Sequence, residues 1–594
     1  GAIISLKRPL ERGPVEREKA FIKSFWHLIG PYWVSEDKKA AWGLLTVVVA
    51  LNLGIVYINV LLNRWMNGFY NALQNLEMKA FLNSLVEFSV LAAVFIATAV
   101  YMIYLNQMLQ IRWRKWLTRR YLTEWLDGQT YYRMQIFERR TDNPDQRISE
   151  DIAALVEKTL NLGLGFLRAV VTLLSFIVIL WELSGPLEIP LGGFGTVTIG
   201  GYMVWAALFY ALFGTWLTMV IGNPLIKLNF NQQRLEADFR YGMIRLRENS
   251  ENVAIYGGEA REMALFWGRF KLVVANFWRI MRQQKRLTWM TSTYNQLSAI
   301  FPLVVAAPRF FSGQIKLGGL MQISQAFGQV HDSLSFIVNS YVGIAEWKAV
   351  VDRLLTFTDT MKTIEEARSL ERIKRRGTEE DAFAVRALDL FLPDGRVLVR
   401  GLSFHLRPGE SLIVTGPSGC GKSTLLKAMA GLWPYGEGEI RYPEGKSCVF
   451  LSQRPYLPLG TLRDALTYPA SNGDNDEELR DLLVAHGLTY LADHLDDTEP
   501  WSQTLSLGEQ QRIAFIRALL HKPDYLFLDE ATSSLDEETE ARVYGSLKQR
   551  LPETVYFSVA HRSTLLPWHA RRLALRGDGG WDEGPLLLPA DSRS

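Results

Sequence analysis

The sequence predicts two domains in series: an α-helical membrane domain of six spans, residues 1–355, and an α/β domain, residues 381–594, joined by a linker over 356–380. Three observations predict this. Long stretches without a charged residue recur in the first 350 positions. From about Val385 the pattern changes to short apolar runs that end in glycine or acidic residues, with helical segments between them. One of those runs opens onto a glycine-rich loop followed by a helix. The bulk numbers agree. A chain of 594 residues has room for several domains, and with 48% hydrophobic, 12% aromatic and 21% charged residues it is too apolar to be disordered. A net charge of +3 supplies no basic excess, so nucleic acid is not expected as a partner.

The spans come first. Trp42–Asn63, Phe88–Ile111, Ile189–Ile226 and Leu287–Pro308 contain no Asp, Glu, Lys or Arg. Each is long enough to cross about 30 Å of hydrocarbon at about 1.5 Å per helical residue. Thr159–Trp181 is interrupted only by Arg168, and Leu317–Ala345 carries His331 and Asp332. These complete the six. Charges in the loops set the orientation. The segment after the second run is strongly basic (Arg112, Arg114, Lys115, Arg119, Arg120), and Lys227–Arg286 is also charged, whereas Glu182–Gly200 has neither Lys nor Arg. The N-terminus, both long loops and the C-terminal half are therefore expected on the cytoplasmic side. Residues 1–40 are charged and interrupted, so no cleavable signal peptide is expected. Within them Phe21, Phe25, Trp26, Ile29 and Trp33 recur at helical spacing beside Lys19 and Lys23, as in a helix lying in the membrane interface.

The chemistry sits in the second domain. Gly416-Pro417-Ser418-Gly419-Cys420-Gly421-Lys422-Ser423-Thr424 matches G-x-x-x-x-G-K-[ST] between the strand Ser411–Thr415 and the helix Leu425–Ala430. Gly416, Gly419 and Gly421 let backbone N–H groups, with that of Ser418, turn inward around phosphate oxygens, and the helix N-terminus adds partial positive charge. Lys422 has the reach for β- and γ-phosphates, and Ser423 and Thr424 bring hydroxyls to the site, that of Ser423 as a Mg²⁺ ligand. ATP and Mg²⁺ are the expected cofactors. The run Tyr525–Leu528 ends in Asp529-Glu530. Asp529 is expected to hold the metal and Glu530 to polarise the attacking water. The two cysteines, Cys420 and Cys448, form neither a disulfide framework nor a zinc site. With Cys420 inside the phosphate loop, this half is expected in a reducing compartment.

Between loop and acids lies Leu505-Ser506-Leu507-Gly508-Glu509-Gln510-Gln511-Arg512. These residues resemble the signature of the ATP-binding cassette family, usually Leu-Ser-Gly-Gly-Gln, with Leu507 in place of the first glycine. The resemblance implies that Ser506, Gly508 and Gln510 meet the nucleotide from a second chain. It also implies that Gln453 senses Mg²⁺ and the membrane domain. Ser533-Ser534-Leu535-Asp536 would cross to the other cassette, with Asp536 in its nucleotide site, and His561 would contact the γ-phosphate. The family often stacks adenine on an aromatic residue before a Pro-Gly turn. Here that place reads Phe391-Leu392-Pro393-Asp394-Gly395, and Leu392 is taken as the packing residue. Membrane domain first and cassette second is the half-transporter order, which implies an exporter-type ABC fold and a second identical chain.

Two loop segments narrow the branch. Asn143–Ile148 and Glu248–Glu259 resemble segments shared by peroxisomal fatty-acyl half-transporters and the bacterial SbmA/BacA-related peptide transporters. The signature phrase and Gln329–Phe336 lean toward the bacterial group. That resemblance implies a bacterial inner-membrane protein, multi-pass in the lipid bilayer, that takes up peptides and possibly other hydrophilic solutes such as cobalamin. Asn52, Asn59, Asn106, Gln107, Gln296, Gln322, Gln325, Gln329 and Asn339 in the spans fit a wet path, although such residues also join helices. Fatty-acyl or other amphipathic lipids are the alternative cargo.

Overall fold

The computed structural model describes residues 14–137, 143–190, 196–470 and 475–586. The chain divides into two compact units, one of Gly1–Asp127 with Arg140–Met361, the other of Gly128–Arg139 with Lys362–Ser594.

The first unit is helical. Its elements are α1 (Pro14–Ile29), α2 (Lys38–Gln74) and α3 (Met78–Leu126). After α4 (Thr130–Phe137), which belongs to the other unit, come α5 (Pro144–Gln146), α6 (Ile152–Ser184), α7 (Tyr202–Glu248), α8 (Ser250–Tyr256), α9 (Glu259–Phe311), α10 (Leu317–Asn339) and α11 (Tyr341–Ser369). An antiparallel hairpin, β1 (Pro186–Pro190) and β2 (Thr196–Gly200), joins α6 to α7. Among the described residues four helical stretches are long and apolar enough to cross a membrane: Lys38–Gln74, Met78–Phe137, Pro144–Ser184 and Tyr202–Glu248. The expected fifth and sixth spans lie in α9 and α10 and fall short of that apolarity. Their uncharged residues include many polar ones, Thr291, Ser292, Thr293, Asn295 and Gln296 in α9 and Gln322, Gln325 and Gln329 in α10. The stripe on α1 is not uniformly free for a membrane surface. Phe21 and Phe25 pack edge-on against Trp347, and Ile29 is buried, while Trp26 is 58% exposed.

Several of the amides are joints between helices. Asn63 Nδ2 donates to Gln325 Oε1 at 2.8 Å, Gln322 Nε2 donates to Asn63 Oδ1 at 3.0 Å, and Asn67 Nδ2 donates to Gln322 Oε1 at 2.6 Å. One turn further along α2, Asn71 Oδ1 accepts from Gly318 N at 2.9 Å. Asn63, Asn67 and Asn71 recur every fourth residue, so one face of α2 presents a ladder of amides to α10. Gly318 is needed there because a Cβ would collide with the Asn67 carbonyl. Asp151 is buried and bridges two helices. It accepts from Arg353 at 2.9 Å and from Arg147. Burial pushes its pKa up, but the hydrogen bonds from Arg353 and Arg147 outweigh this and hold it below the usual range.

The second unit is the α/β domain. Its strands are β3 (Ile373–Thr378), β4 (Phe383–Phe391), β5 (Val397–Leu406), β6 (Ser411–Thr415), β7 (Gly436–Pro443), β8 (Cys448–Leu451), β9 (Gly460–Thr461), β10 (Thr498–Glu499), β11 (Tyr525–Asp529), β12 (Val555–Val559), β13 (Arg571–Leu575) and β14 (Trp581–Pro585). Its helices are α12 (Lys422–Met429), α13 (Leu462–Thr467), α14 (Asp476–Ala485), α15 (Trp501–Thr504), α16 (Leu507–His521) and α17 (Glu537–Arg550). The main sheet runs β14-β13-β6-β12-β11-β8, parallel except for β14 at its edge. A second sheet runs β3-β7-β4-β5. Strand β11 shows why the main sheet is central. Leu526 and Leu528 face the core of the helical layer, whereas Tyr525 and Phe527 face the core shared with the second sheet. The segment 356–380, expected as a linker, is ordered: α11 continues through it to Ser369 and β3 joins the second sheet.

Candidate active site

The phosphate loop follows β6 and opens α12. Gly416, Gly419 and Gly421 have φ of 151°, 78° and 104°, a region that a side chain disfavours. A Cβ at Gly416 would also strike the Leu575 carbonyl. Lys422 is buried, and its Nζ donates to the Gly416 and Pro417 carbonyls, each at 2.9 Å. Both partners are neutral, so the ammonium is held in the loop with its charge uncompensated by any carboxylate within ion-pair distance among the described residues. That is a fit for phosphate oxygens.

The acids at the end of β11 face this loop. Ser423 Oγ donates to Asp529 Oδ1 at 2.9 Å. Burial raises the Asp529 pKa, with the Ser423 hydrogen bond opposing and the Glu530 charge adding to the rise. Such a carboxyl gains more than an exposed one from a divalent cation, so Ser423, Asp529 and nearby Gln453 suit Mg²⁺, which would neutralise phosphate charge. Glu530 is a non-glycine residue at φ 50°, held there by its N–H on the Val559 carbonyl at 2.9 Å. Its carboxylate accepts from Gln453 Nε2 at 3.3 Å and lies 3.1 Å from His561 Nε2. Gln453 and His561, far apart in sequence, thus meet at the Glu530 carboxylate and hold it from two sides.

Ser506 caps α16. Its Oγ accepts from Glu509 N at 3.4 Å and donates to Glu509 Oε2 at 2.7 Å, and its N–H donates to the same carboxylate at 2.9 Å. Leu507 is therefore the first helical residue, a position that needs no glycine. Gly508 approaches the Ser534 carbonyl, which a Cβ would meet at 3.1 Å. Gln510 Nε2 donates to the Leu505 and Ser502 carbonyls at 2.8 and 3.0 Å, so its amide shapes the loop before the helix. Asp536 caps α17, accepting from Thr539 N at 2.8 Å, and its carboxyl is held below the usual range by the Thr539 hydrogen bonds. Leu392 stands where β4 turns into β5 and rests against the core shared by the sheets. The structure brings Lys422, Ser423, Asp529, Glu530, Gln453 and His561 together. Ser506, Gly508 and Asp536 sit on the signature and crossing loops instead.

Gln511 has no functional place in the sequence reading. It is fully buried and joins two loops at once: Nε2 donates to the Gln453 carbonyl at 2.8 Å and to Ser533 Oγ at 3.2 Å, and Oε1 accepts from Ser534 N at 3.1 Å. Arg562, next to His561, donates to the Leu535 and Ser533 carbonyls at 2.6 and 2.8 Å. Both signals were present as polar residues beside motif residues, but side-chain-to-carbonyl bonds leave no spacing to read. Arg133 on α4 is a third. It is buried in the cassette unit, pairs with Glu371, and donates to the Gly431 carbonyl at 3.2 Å.

Comparison with known proteins agrees with this geometry. The family model "ABC transporter transmembrane region 2" matches residues 29–311, and "ABC transporter" matches 399–533. The chain is 35% identical over 546 residues to the "Inner membrane ABC transporter ATP-binding protein YddA" of Escherichia coli, covering 92% of this chain and 96% of that one. It is 26% identical to the human "Lysosomal cobalamin transporter ABCD4", covering 80% and 82%. Among solved structures, a bacterial Atm1-family ABC exporter with ATP bound superposes with a TM-score of 0.68 at 19% identity, over 93% of this chain and 96% of that chain, which places the fold.

Proposed function

The chain belongs to the ABC transporter family, a multi-pass membrane protein whose ATP hydrolysis is coupled to transport, and we propose that it is the half-transporter of a homodimer that takes up peptides and other hydrophilic solutes across a bacterial inner membrane. In this reading all six long helices, α9 and α10 included, span the bilayer. Lys422 and the loop from Gly416 to Thr424 hold the phosphates, Ser423, Asp529 and Gln453 hold Mg²⁺, and Glu530 orients water with His561 beside it. Ser506, Gly508 and Asp536 serve the partner's nucleotide, and Leu392 packs on adenine. The dimer is supported by α8, whose Ile255 and Tyr256 are 73% and 86% exposed at the tip of the α7–α9 pair.

The observation that favours hydrophilic cargo over lipid is Asp332. Its side chain is 80% exposed on α10, inside a segment otherwise free of charge but for its neighbour His331. A carboxylate at such depth needs water or a charged guest. His331 itself is buried against Tyr210 and Tyr294, with Tyr294 Oη 2.9 Å from its Nε2, so only Asp332 of the pair can face an open path. The test is ATP-dependent uptake of labelled peptide, cobalamin and acyl-CoA into vesicles of known orientation. Peptide accumulation that Glu530→Gln abolishes supports the reading. Acyl-CoA movement without peptide movement overturns it in favour of the lipid alternative.

A further inference from the structure

Arg168 is the one cation inside the charge-free stretches listed by position above, and it lies near the middle of Thr159–Trp181. Its partners place it at the same depth independently. Nε donates to Asn52 Oδ1 at 2.6 Å and Nη2 to Met102 Sδ at 3.2 Å. Asn52 stands at the centre of Trp42–Asn63, and Met102 is near the centre of Phe88–Ile111. Three helices thus agree that the guanidinium sits close to the bilayer midplane.

A guanidinium serving only as a helix joint would be matched by a carboxylate. This one is not. Among the described residues its acceptors are a neutral amide and a thioether, the second a weak acceptor, and two of its five N–H groups are committed. Asn52 is fully buried and is itself fixed by donating to the Leu164 carbonyl at 3.0 Å, so the guanidinium is held in a set orientation.

A carboxylate does exist at this depth. Helix α6 runs antiparallel to α10 and the start of α11: Trp347 Nε1 on α11 donates to Thr159 Oγ1, while on α10 Phe336 meets Gly165, and Ile323 and Phe327 share a core with Phe176 and Leu180. Arg168 is three residues beyond Gly165 on α6, and Asp332 is four residues before Phe336 on α10. At about 1.5 Å per residue the two are level to within roughly one residue's rise. Each also shares a helix face with the contact residue one turn away. Yet they do not pair. Asp332 Oδ1 is 3.2 Å from His331 Nδ1 and otherwise exposed, and Arg168 is turned to Asn52.

From this we infer that Arg168 and Asp332 are the two charge-reading poles of an intramembrane substrate site, Arg168 taking a carboxylate and Asp332 an ammonium group of a zwitterionic peptide. The inference rests on the peptide reading and deepens it. Opposite charges kept apart at one level match a guest that carries both charges. A fatty-acyl chain offers the carboxylate pole alone.

The test is equilibrium binding of one decapeptide to the full-length protein in lipid nanodiscs, in three forms: free, C-terminally amidated and N-acetylated. With the wild-type chain, each capping weakens binding about tenfold or more, the loss of one charge-assisted contact. Arg168→Gln makes free and amidated forms equal while the penalty for acetylation stays, and Asp332→Asn does the reverse. Arg168→Lys keeps part of the preference for the free acid. Three equal affinities in the wild type overturn the two-pole site and leave peptide transport standing. That comparison needs no variant, so a misfolded substitution does not decide it. Absence of binding by all three forms, with acyl-CoA bound, overturns the peptide reading and the site with it.

Discussion

Replacing Gln511 with leucine isolates what its buried amide does. The side chain has similar volume and stays in the α16 helix, so packing changes little. Three hydrogen bonds disappear, to the Gln453 carbonyl, Ser533 Oγ and Ser534 N–H. At about 1 kcal/mol net each the upper bound is about 3 kcal/mol. Ser534 is exposed and water can replace its partner, which leaves roughly 2 kcal/mol. That energy no longer favours the arrangement in which the Gln453 loop and the Ser533–Asp536 loop are set against the same helix. If the aligned arrangement is needed for hydrolysis, about 2 kcal/mol is a fall of about 30-fold in turnover. Phosphate-loop contacts do not involve Gln511, so ATP affinity should change by less than about threefold. Steady-state ATPase and fluorescent-nucleotide binding on the full chain read both quantities. Turnover within about twofold of wild type, in a folded protein, would refute the claim that Gln511 sets the two loops.

Glu530→Gln keeps the shape and loses the charge, so nucleotide binding persists while hydrolysis falls by about a hundredfold or more, measured as phosphate release. His569 is buried, with Nδ1–H on the Leu565 carbonyl and Nε2 accepting from Ser558 Oγ, and burial lowers its pKa from 6.5 to about 4. The unfolded chain binds this proton more readily, so its stability contribution is complete above about pH 6.5 and is lost as pH falls toward 4, roughly 3 kcal/mol at the limit. Thermal unfolding of wild type against His569→Gln between pH 7 and 5 checks the window, the variant showing the weaker acid dependence. Asn63→Leu breaks the amide ladder between α2 and α10 and lowers the stability of the membrane unit by about 1 kcal/mol, read as a fall in melting temperature in detergent. Arg133→Ala removes the cation paired with the partly exposed Glu371 and the donor to the Gly431 carbonyl, and is expected to cost about 1–2 kcal/mol in cassette stability, seen in the same melting assay.

What could be read from sequence followed from period and local order. The phosphate loop declares itself because glycines, lysine and hydroxyl must be consecutive to wrap one anion. Asp529 and Glu530 are legible only through their place after the phosphate loop, because many strands end in acids at the surface. Four spans were visible as charge-free runs, Leu287–Pro308 in α9 among them, and the third as a run broken only by Arg168; the apolarity of α9 and α10 is nevertheless diluted by hydroxyls and amides. The amides themselves had two readings, and the structure assigns Asn63, Gln322 and Gln325 to helix joints. That α4, an extension of the second membrane stretch, belongs to the cassette unit was not legible: the argument for it is a buried ion pair between residues 133 and 371, and nothing in local sequence marks such a pair.

That placement bears on how hydrolysis reaches the membrane. The chain passes from the membrane unit to the cassette unit at Asp127–Gly128 and again at Met361–Lys362. The second passage lies inside α11, an uninterrupted helix from Tyr341 to Ser369, which resists bending. The first is a tight turn with φ of 55° at Gly128 and 61° at Gln129, and a Cβ at Gly128 would strike the Arg368 guanidinium. Directly after it Arg133 is fixed to Glu371 and the Gly431 carbonyl, and Gly431 ends the helix that begins in the phosphate loop. Arg133 is thus tied to the end of that helix through a single carbonyl, and six residues of chain separate it from Leu126, the last residue of α3. The segment Asn143–Ile148 is followed by Asp151, whose pairs with Arg147 and Arg353 lie wholly within the membrane unit. Within the cassette unit, the residues next to the first passage are therefore bonded to the end of the phosphate-loop helix, through Arg133 and the Gly431 carbonyl.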